Sequence, residues 1–98
     1  MSYHDAEMLR ARIAAAKRAM LSPSQKAEQV IREWSNQPTA SQIQEAQQSL
    51  LALRAELNHP KYKIPTRELT PGEAAIYRAE LQTIGNQIYA LQGYLGIH

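Results

Sequence analysis

Residues 70–95 read TPGEAAIYRAELQTIGNQIYALQGYL, a Thr-Pro-Gly-Glu opening followed by Tyr77, Leu81, Ile84, Ile88, Leu91 and Leu95 at spacings of 4, 3, 4, 3 and 4. Apolar residues recurring in this way keep to one face of a helix, whereas a half-buried strand would need strict alternation. Thr70 stands where a hydroxyl accepts from the third helical N–H, and Glu73 stands where its carboxylate reaches back to the Thr70 N–H. Pro71 takes the first helical position, where a missing N–H costs nothing. The stretch is therefore expected to form a heptad-patterned helix over residues 71–95, opened by a capping box.

The same grammar recurs upstream. Ile43, Ala46, Leu50, Leu53 and Leu57 follow spacings of 3, 4, 3 and 4 behind the box Thr39-Ala40-Ser41-Gln42. Two matched seams joined only by residues 59–70 are expected to pair as an antiparallel, coiled-coil-like hairpin. Pro38 could staple onto Ile43 and Leu69 onto Ala74, which strengthens both starts. Further boxes at Ser22-Pro23-Ser24-Gln25 and Ser2-Tyr3-His4-Asp5 open two amphipathic stretches with less apolar mass. One carries Ala27, Val30, Ile31 and Trp34; the other carries Leu9, Ile13, Ala16 and Met20, with Met8 and Leu21 beside them. Pro23 pushes Ser22 out of the helical region, so the chain should bend there. The expected fold is all-α, a small four-helix bundle built on an antiparallel helical hairpin, with helices at about 3–21, 23–35, 40–58 and 71–95 in a single domain over 1–98.

Composition agrees and removes several function classes. The chain has 98 residues, 15 Ala, 10 Gln and no Phe, while Leu, Ile and Val total 19. This favours helices with a thin core of small side chains. Without cysteine there is no disulfide, thiolate zinc site or cysteine nucleophile. His4 and Glu7 lie one helical turn apart, but no further metal ligand follows at a useful spacing. No apolar run is long enough to span a membrane, and MSYHDAEMLR lacks the pattern of a signal peptide. A cytoplasmic chain is expected, in a cell or, for a phage-encoded protein, in its host. No carboxylate pair, Ser-His-Asp arrangement or phosphate-cradling glycine loop is found, so neither an enzyme nor a cofactor is expected.

Three surfaces invite a functional reading. The connection over 59–70 brings Lys61, Tyr62, Lys63, Thr66 and Arg67 up to a helix N-terminus, an arrangement that could bind a phosphate, a nucleotide or nucleic acid. Gly72 could add a close polar contact, whereas Glu68 and Glu73 would repel the same anion. A solvated connection stiffened by Pro60 and Pro65 explains the residues equally. Secondly, residues 8–27 contain no acid but include Arg10, Arg12, Lys17, Arg18 and Lys26. Arg12 and Arg18 fall off the line shared by Arg10 and Lys17, so no clean groove-reading face forms. The pI near 9.1 permits weak nucleic-acid binding. Thirdly, Trp34, Tyr77, Ile84, Ile88, Tyr89, Leu91, Tyr94 and Leu95 make an apolar face wider than one partner helix covers. They suit an interface with a second copy, as a homodimer or larger assembly, or with another protein. Trp34 and Tyr77 also suit core positions.

The stretch Arg67-Glu68-Leu69-Thr70-Pro71-Gly72-Glu73-Ala74-Ala75-Ile76, with Gly85 beyond it, resembles the helix opening in the helical-hairpin domain of phage cyclic-oligonucleotide sponges. The likeness covers residues 67–95. It implies a small oligomeric protein that sequesters signalling nucleotides in counter-defence. The chain departs from that family at the ligand residues: the stacking Tyr falls on Thr66, and the ligand-binding Lys falls near Leu81.

Overall fold

Residues 20–97 are described in the computed structural model. The helix expected over 3–21, with its Ser2 box and its stripe of Leu9, Ile13 and Ala16, lies outside the described residues up to position 19, and its expected last two residues, Met20 and Leu21, form a turn and a bend rather than helix ahead of Pro23. Three α-helices follow: α1, Pro23–Glu33; α2, Ala40–Glu56; and α3, Pro71–Leu95. Two short 3₁₀ turns, Pro60–Lys63 and Thr66–Glu68, fill the connection between α2 and α3. The described residues are thus all-α and contain no strand.

All three expected capping boxes in this region close in both directions. Ser22 Oγ accepts from the Gln25 N–H at 3.2 Å while Gln25 Oε1 accepts from the Ser22 N–H at 2.9 Å. Thr39 and Gln42 repeat the exchange at 3.1 and 2.9 Å, and Thr70 and Glu73 at 3.1 and 3.2 Å. Each box satisfies two N–H groups that a helix start leaves without an internal acceptor.

The helix ends have equally local causes. α1 stops two residues before the expected boundary because Trp34 turns to extended backbone. α2 stops at Glu56 rather than 58: the Asn58 and His59 N–H groups tighten onto the Ala55 and Glu56 carbonyls, and Pro60 holds His59 extended. At the end of α3, Gly96 adopts φ +69°, with its N–H on the Gly93 carbonyl and that of Ile97 on the Gln92 carbonyl. This paired closure requires a left-handed residue, which glycine supplies without a Cβ clash.

Side-chain bonds fix the helix directions. Ser24, at the start of α1, bonds to Gln87, and Trp34, at its end, stacks on Tyr94, so α1 runs parallel to the second half of α3. Gln42, in the first turn of α2, donates to the Glu33 carbonyl at 3.1 Å, and Glu56 at the far end is linked through Lys61 to Glu80. α2 therefore runs antiparallel to both neighbours, and against α3 this is the pairing expected from the matched seams. α3 has 25 residues against 17 in α2, so its first turns, before Glu80, reach beyond the other helices. The connecting segment packs along this overhang.

The core joins Ala27 and Val30 of α1, Ala46, Leu50 and Leu53 of α2, and Ile84 and Leu91 of α3. Ala27 and Ala46 have no accessible surface, and their small side chains let the helix backbones approach closely. The expected seams need two corrections. Ile43 and Leu57, the ends of the α2 seam, remain partly exposed. In α3 the most buried line is Ile84, Gln87 and Leu91, with Ile88 only packed against it. A helix resting on two neighbours buries a wider arc than one heptad seam, and Gln87 and Tyr94, seven residues apart, lie on the flank that meets α1.

Candidate functional site

The connection over 59–70 is folded rather than loop-like, and its folding redirects two of the five expected ligand side chains. Pro60 sets φ for the first 3₁₀ turn, whose start is capped when His59 Nδ1 accepts from the Lys61 N–H at 3.1 Å. The turn swings Tyr62 onto α3. Its hydroxyl donates to Glu80 Oε2 at 2.7 Å, and its ring meets Tyr77 edge-on, with centroids 5.9 Å apart. Lys61 Nζ lies 3.3 Å from the same Glu80 oxygen, 3.8 Å from Glu56 Oε1 and 4.9 Å from the Tyr62 ring centre.

The titration behaviour of this node follows from its geometry. The Tyr62 hydrogen bond holds the Glu80 carboxyl below the ordinary carboxylate value against partial burial, with Lys61 adding to the effect. Burial pushes the Tyr62 phenol up, and Glu80 as its acceptor pushes it further. For Lys61, burial opposes the ammonium, but the contacts to Glu80 and Tyr62 outweigh it and raise its pKa. At neutral pH the node therefore holds an ion pair and a neutral phenol.

The anion site read from sequence is consequently not assembled as expected. Lys61 and Tyr62 face Glu80, whereas Lys63, Thr66 and Arg67 remain exposed. At the start of α3, Glu73 Oε1 accepts from both the Thr70 N–H and the Thr70 hydroxyl, so the helix N-terminus already carries a carboxylate. Glu56 and Glu80 were absent from the sequence reading of this region. Neither lies within the basic segment, and only the fold brings them to Lys61.

The eight residues expected at an interface also divide. Ile84 and Leu91 are buried inside the chain and cannot meet a partner as well, and Ile88 and Leu95 pack against the same core. Trp34 and Tyr94 stack on one another with centroids 5.0 Å apart and planes 6° from parallel, while Tyr77 meets Tyr62. Tyr89 alone among them points fully outward, at 81% exposure. It lies one turn from Gly85 and one turn from Gly93, and a Cβ at either glycine would have no neighbour within 4 Å. No charged residue occurs from Leu81 to Ile97. From Leu81 onward the outer face of α3 is thus an uncharged strip on which Tyr89 stands between two glycines.

Among the described residues no helix is long and apolar enough to cross a membrane, and no cluster of His, Asp or Glu could hold a metal ion. No protein-family model, curated protein or solved structure matches this chain.

Proposed function

We propose that this protein is a non-catalytic helical interaction module, an adaptor, inhibitor or assembly subunit, that self-associates through the outer face of α3. The supporting observation is the uncharged strip over 81–97, with Tyr89 exposed between two glycines that packing within the chain does not require. Glycine inside a helix costs about 1 kcal/mol relative to alanine, so two on one exposed face suit a surface that another backbone approaches closely. An isologous pairing would let Tyr89 of each copy lie over a glycine of the other, burying both rings. In this reading residues 3–21 supply the fourth helix, and the protein acts in the cytoplasm of a cell or of a phage host. Sedimentation and light scattering test the association: a dimer or larger species is expected for the native chain and a monomer for Tyr89→Glu, while a native monomer at all concentrations discards the reading.

A second reading rests on Lys63, Thr66 and Arg67, which stay exposed in neighbouring turns. They could bind an anionic ligand, nucleic acid or a cyclic nucleotide, as the sponge resemblance suggests. A thermal-shift screen against cyclic di- and trinucleotides and a salt titration of nucleic-acid binding test it. Stabilisation by a nucleotide, or affinity that falls steeply with salt, would favour it over the first reading.

A further inference from the structure

Among the described residues, four helical starts carry a side-chain cap, and one of these caps can take up a proton. Ser22, Thr39 and Thr70 open the three α-helices with hydroxyls, which accept a hydrogen bond at any ordinary pH. The 3₁₀ turn Pro60–Lys63 is opened instead by an imidazole, with His59 Nδ1 accepting from the Lys61 N–H at 3.1 Å. Pro60 holds His59 in extended backbone, φ −60° and ψ 136°, the conformation from which a capping side chain folds over the turn that follows. His59 is exposed, so protons reach the ring from solvent.

A ring nitrogen accepts only while it carries no proton; in the imidazolium both nitrogens donate. Protonation of His59 therefore sets an N–H against the Lys61 N–H and adds positive charge to a turn that already holds Lys61 and Lys63. The capped turn is what seats Tyr62 and Lys61 on α3. Its Tyr62 N–H bonds to the His59 carbonyl at 3.0 Å, and the Tyr62 ring meets His59 and Tyr77 edge-on, with centroids 6.4 and 5.9 Å apart. We propose that the connection over 59–70 is a pH-sensitive strap on α3, latched by the unprotonated His59 ring at neutral pH and released on mild acidification, so that Tyr62 leaves Tyr77 and Glu80.

The sign follows from the bond. It forms only with the neutral ring, so its contribution is present at neutral pH and is lost as the ring gains a proton, a change that imidazole ordinarily makes between about pH 8 and 5. The neighbouring charges do not reverse this. The last turn of α2 carries Arg54 and Glu56, and α3 presents Tyr77 and Glu80. The two carboxylates attract a cation, but Lys61 Nζ already lies between them at 3.8 and 3.3 Å. Arg67 and Glu68, in the second 3₁₀ turn, are exposed, and the start of α1 faces Lys61 and Tyr62 with the uncharged Ser22, Pro23, Ser24 and Gln25. Glu80 titrates below its ordinary 4.5, so it stays ionised at about pH 5.5 and release there is not a loss of its ion pair. The strap is independent of association through the outer face of α3.

Trypsin tests the strap at its own bonds, because cleavage after Lys61 and Lys63 in the full chain follows the population in which the strap is released. Referring each rate to that of a peptide of residues 57–70 at the same pH removes the protease's own pH dependence. Protection of the two bonds is expected to fall at least about fivefold, the weight of one hydrogen bond, between about pH 7.5 and 5.5, while protection after Arg54 and Arg78, inside α2 and α3, stays unchanged. His59→Asn should keep the protection at both pH values, since its Oδ1 accepts without titrating, and His59→Ala should show the acid level at both. Native protection that does not change with pH, or a pH response that survives in either variant, would overturn the proposal. So would an equal loss of protection after Arg54 and Arg78, which would mean that the whole bundle loosens. Tyr89→Glu should leave the response unaltered, which separates failure here from failure of the α3 association.

Discussion

Gln87 is 5% exposed, and its amide is held on both sides by α1. Nε2 donates to the Ser24 carbonyl at 3.0 Å and to Glu28 Oε2 at 3.3 Å, while Oε1 accepts from the Ser24 hydroxyl at 2.9 Å. A buried polar group loses more when left without its partner than the bond gains when formed. Gln87→Leu is therefore expected to cost about 1 to 3 kcal/mol, and the double variant Ser24→Ala/Gln87→Leu less than the sum of its parts, as urea denaturation would show in a double-mutant cycle. Additive losses would mean that the pair is not coupled. Tyr62→Phe probes the second polar node through its pH dependence. Glu80 titrates below its ordinary value of 4.5, so its contribution is present above that pH and is lost as pH falls through the lower folded value. Tyr62 and Lys61 titrate above 10.0 and 10.5, so theirs is present below those values and is lost as pH rises through the higher folded ones. The stability gap between native chain and variant should be about 1 kcal/mol near neutrality and shrink at both extremes; a flat gap would deny the node its charge. At this scale the sequence was least legible. Ser24 with Gln87 and Tyr62 with Glu80 are pairs made by the fold, and an isolated sequence does not show which distant residues share a bond.

Helix starts, by contrast, are decided within four residues, which is why the three described capping boxes and the whole span of α3 could be read directly. The α2 end and the connection were harder, because a tight last turn and two 3₁₀ turns depend on Pro60 and on contacts with α3. Thr39→Ala should cost about 1 kcal/mol in thermal or urea unfolding through loss of the cap, with Gln42→Ala adding less than a full independent increment. The glycines of α3 predict an opposite pair of signs. Nothing crowds a Cβ at Gly85 or Gly93, so alanine at either should raise monomer stability by about 1 kcal/mol through helix propensity. If these glycines admit a second copy, the same substitutions should weaken association in sedimentation experiments. Stabilisation without loss of association would remove the glycines from the interface.

The direction of α1 has no matching seam behind it and rests on Ser24 with Gln87 and Trp34 with Tyr94, whereas the antiparallel placement of α2 against α3 was legible from the two seams and the short segment that joins them. The buried arc of α3 was not, because its width is set by two neighbouring helices and only one seam is written in heptads. Among the described residues the core relies on five large aliphatic side chains, Val30, Leu50, Leu53, Ile84 and Leu91, with alanines filling the close contacts. Such a core leaves little reserve: a small domain is stable by about 5 kcal/mol or somewhat more, and truncating one fully buried leucine costs about 2 to 5 kcal/mol. Leu91→Ala should therefore bring the chain close to its unfolding midpoint in buffer, whereas Tyr89→Glu, two residues earlier but on the outer face, should keep its helicity. Urea unfolding at two protein concentrations separates the roles of these neighbours. The native midpoint should rise with concentration if folding is coupled to association, and that dependence should vanish in Tyr89→Glu without a change in monomer stability. A concentration-independent native midpoint would confine the stabilising interactions to the single chain and leave the exposed tyrosine without a role in its folding.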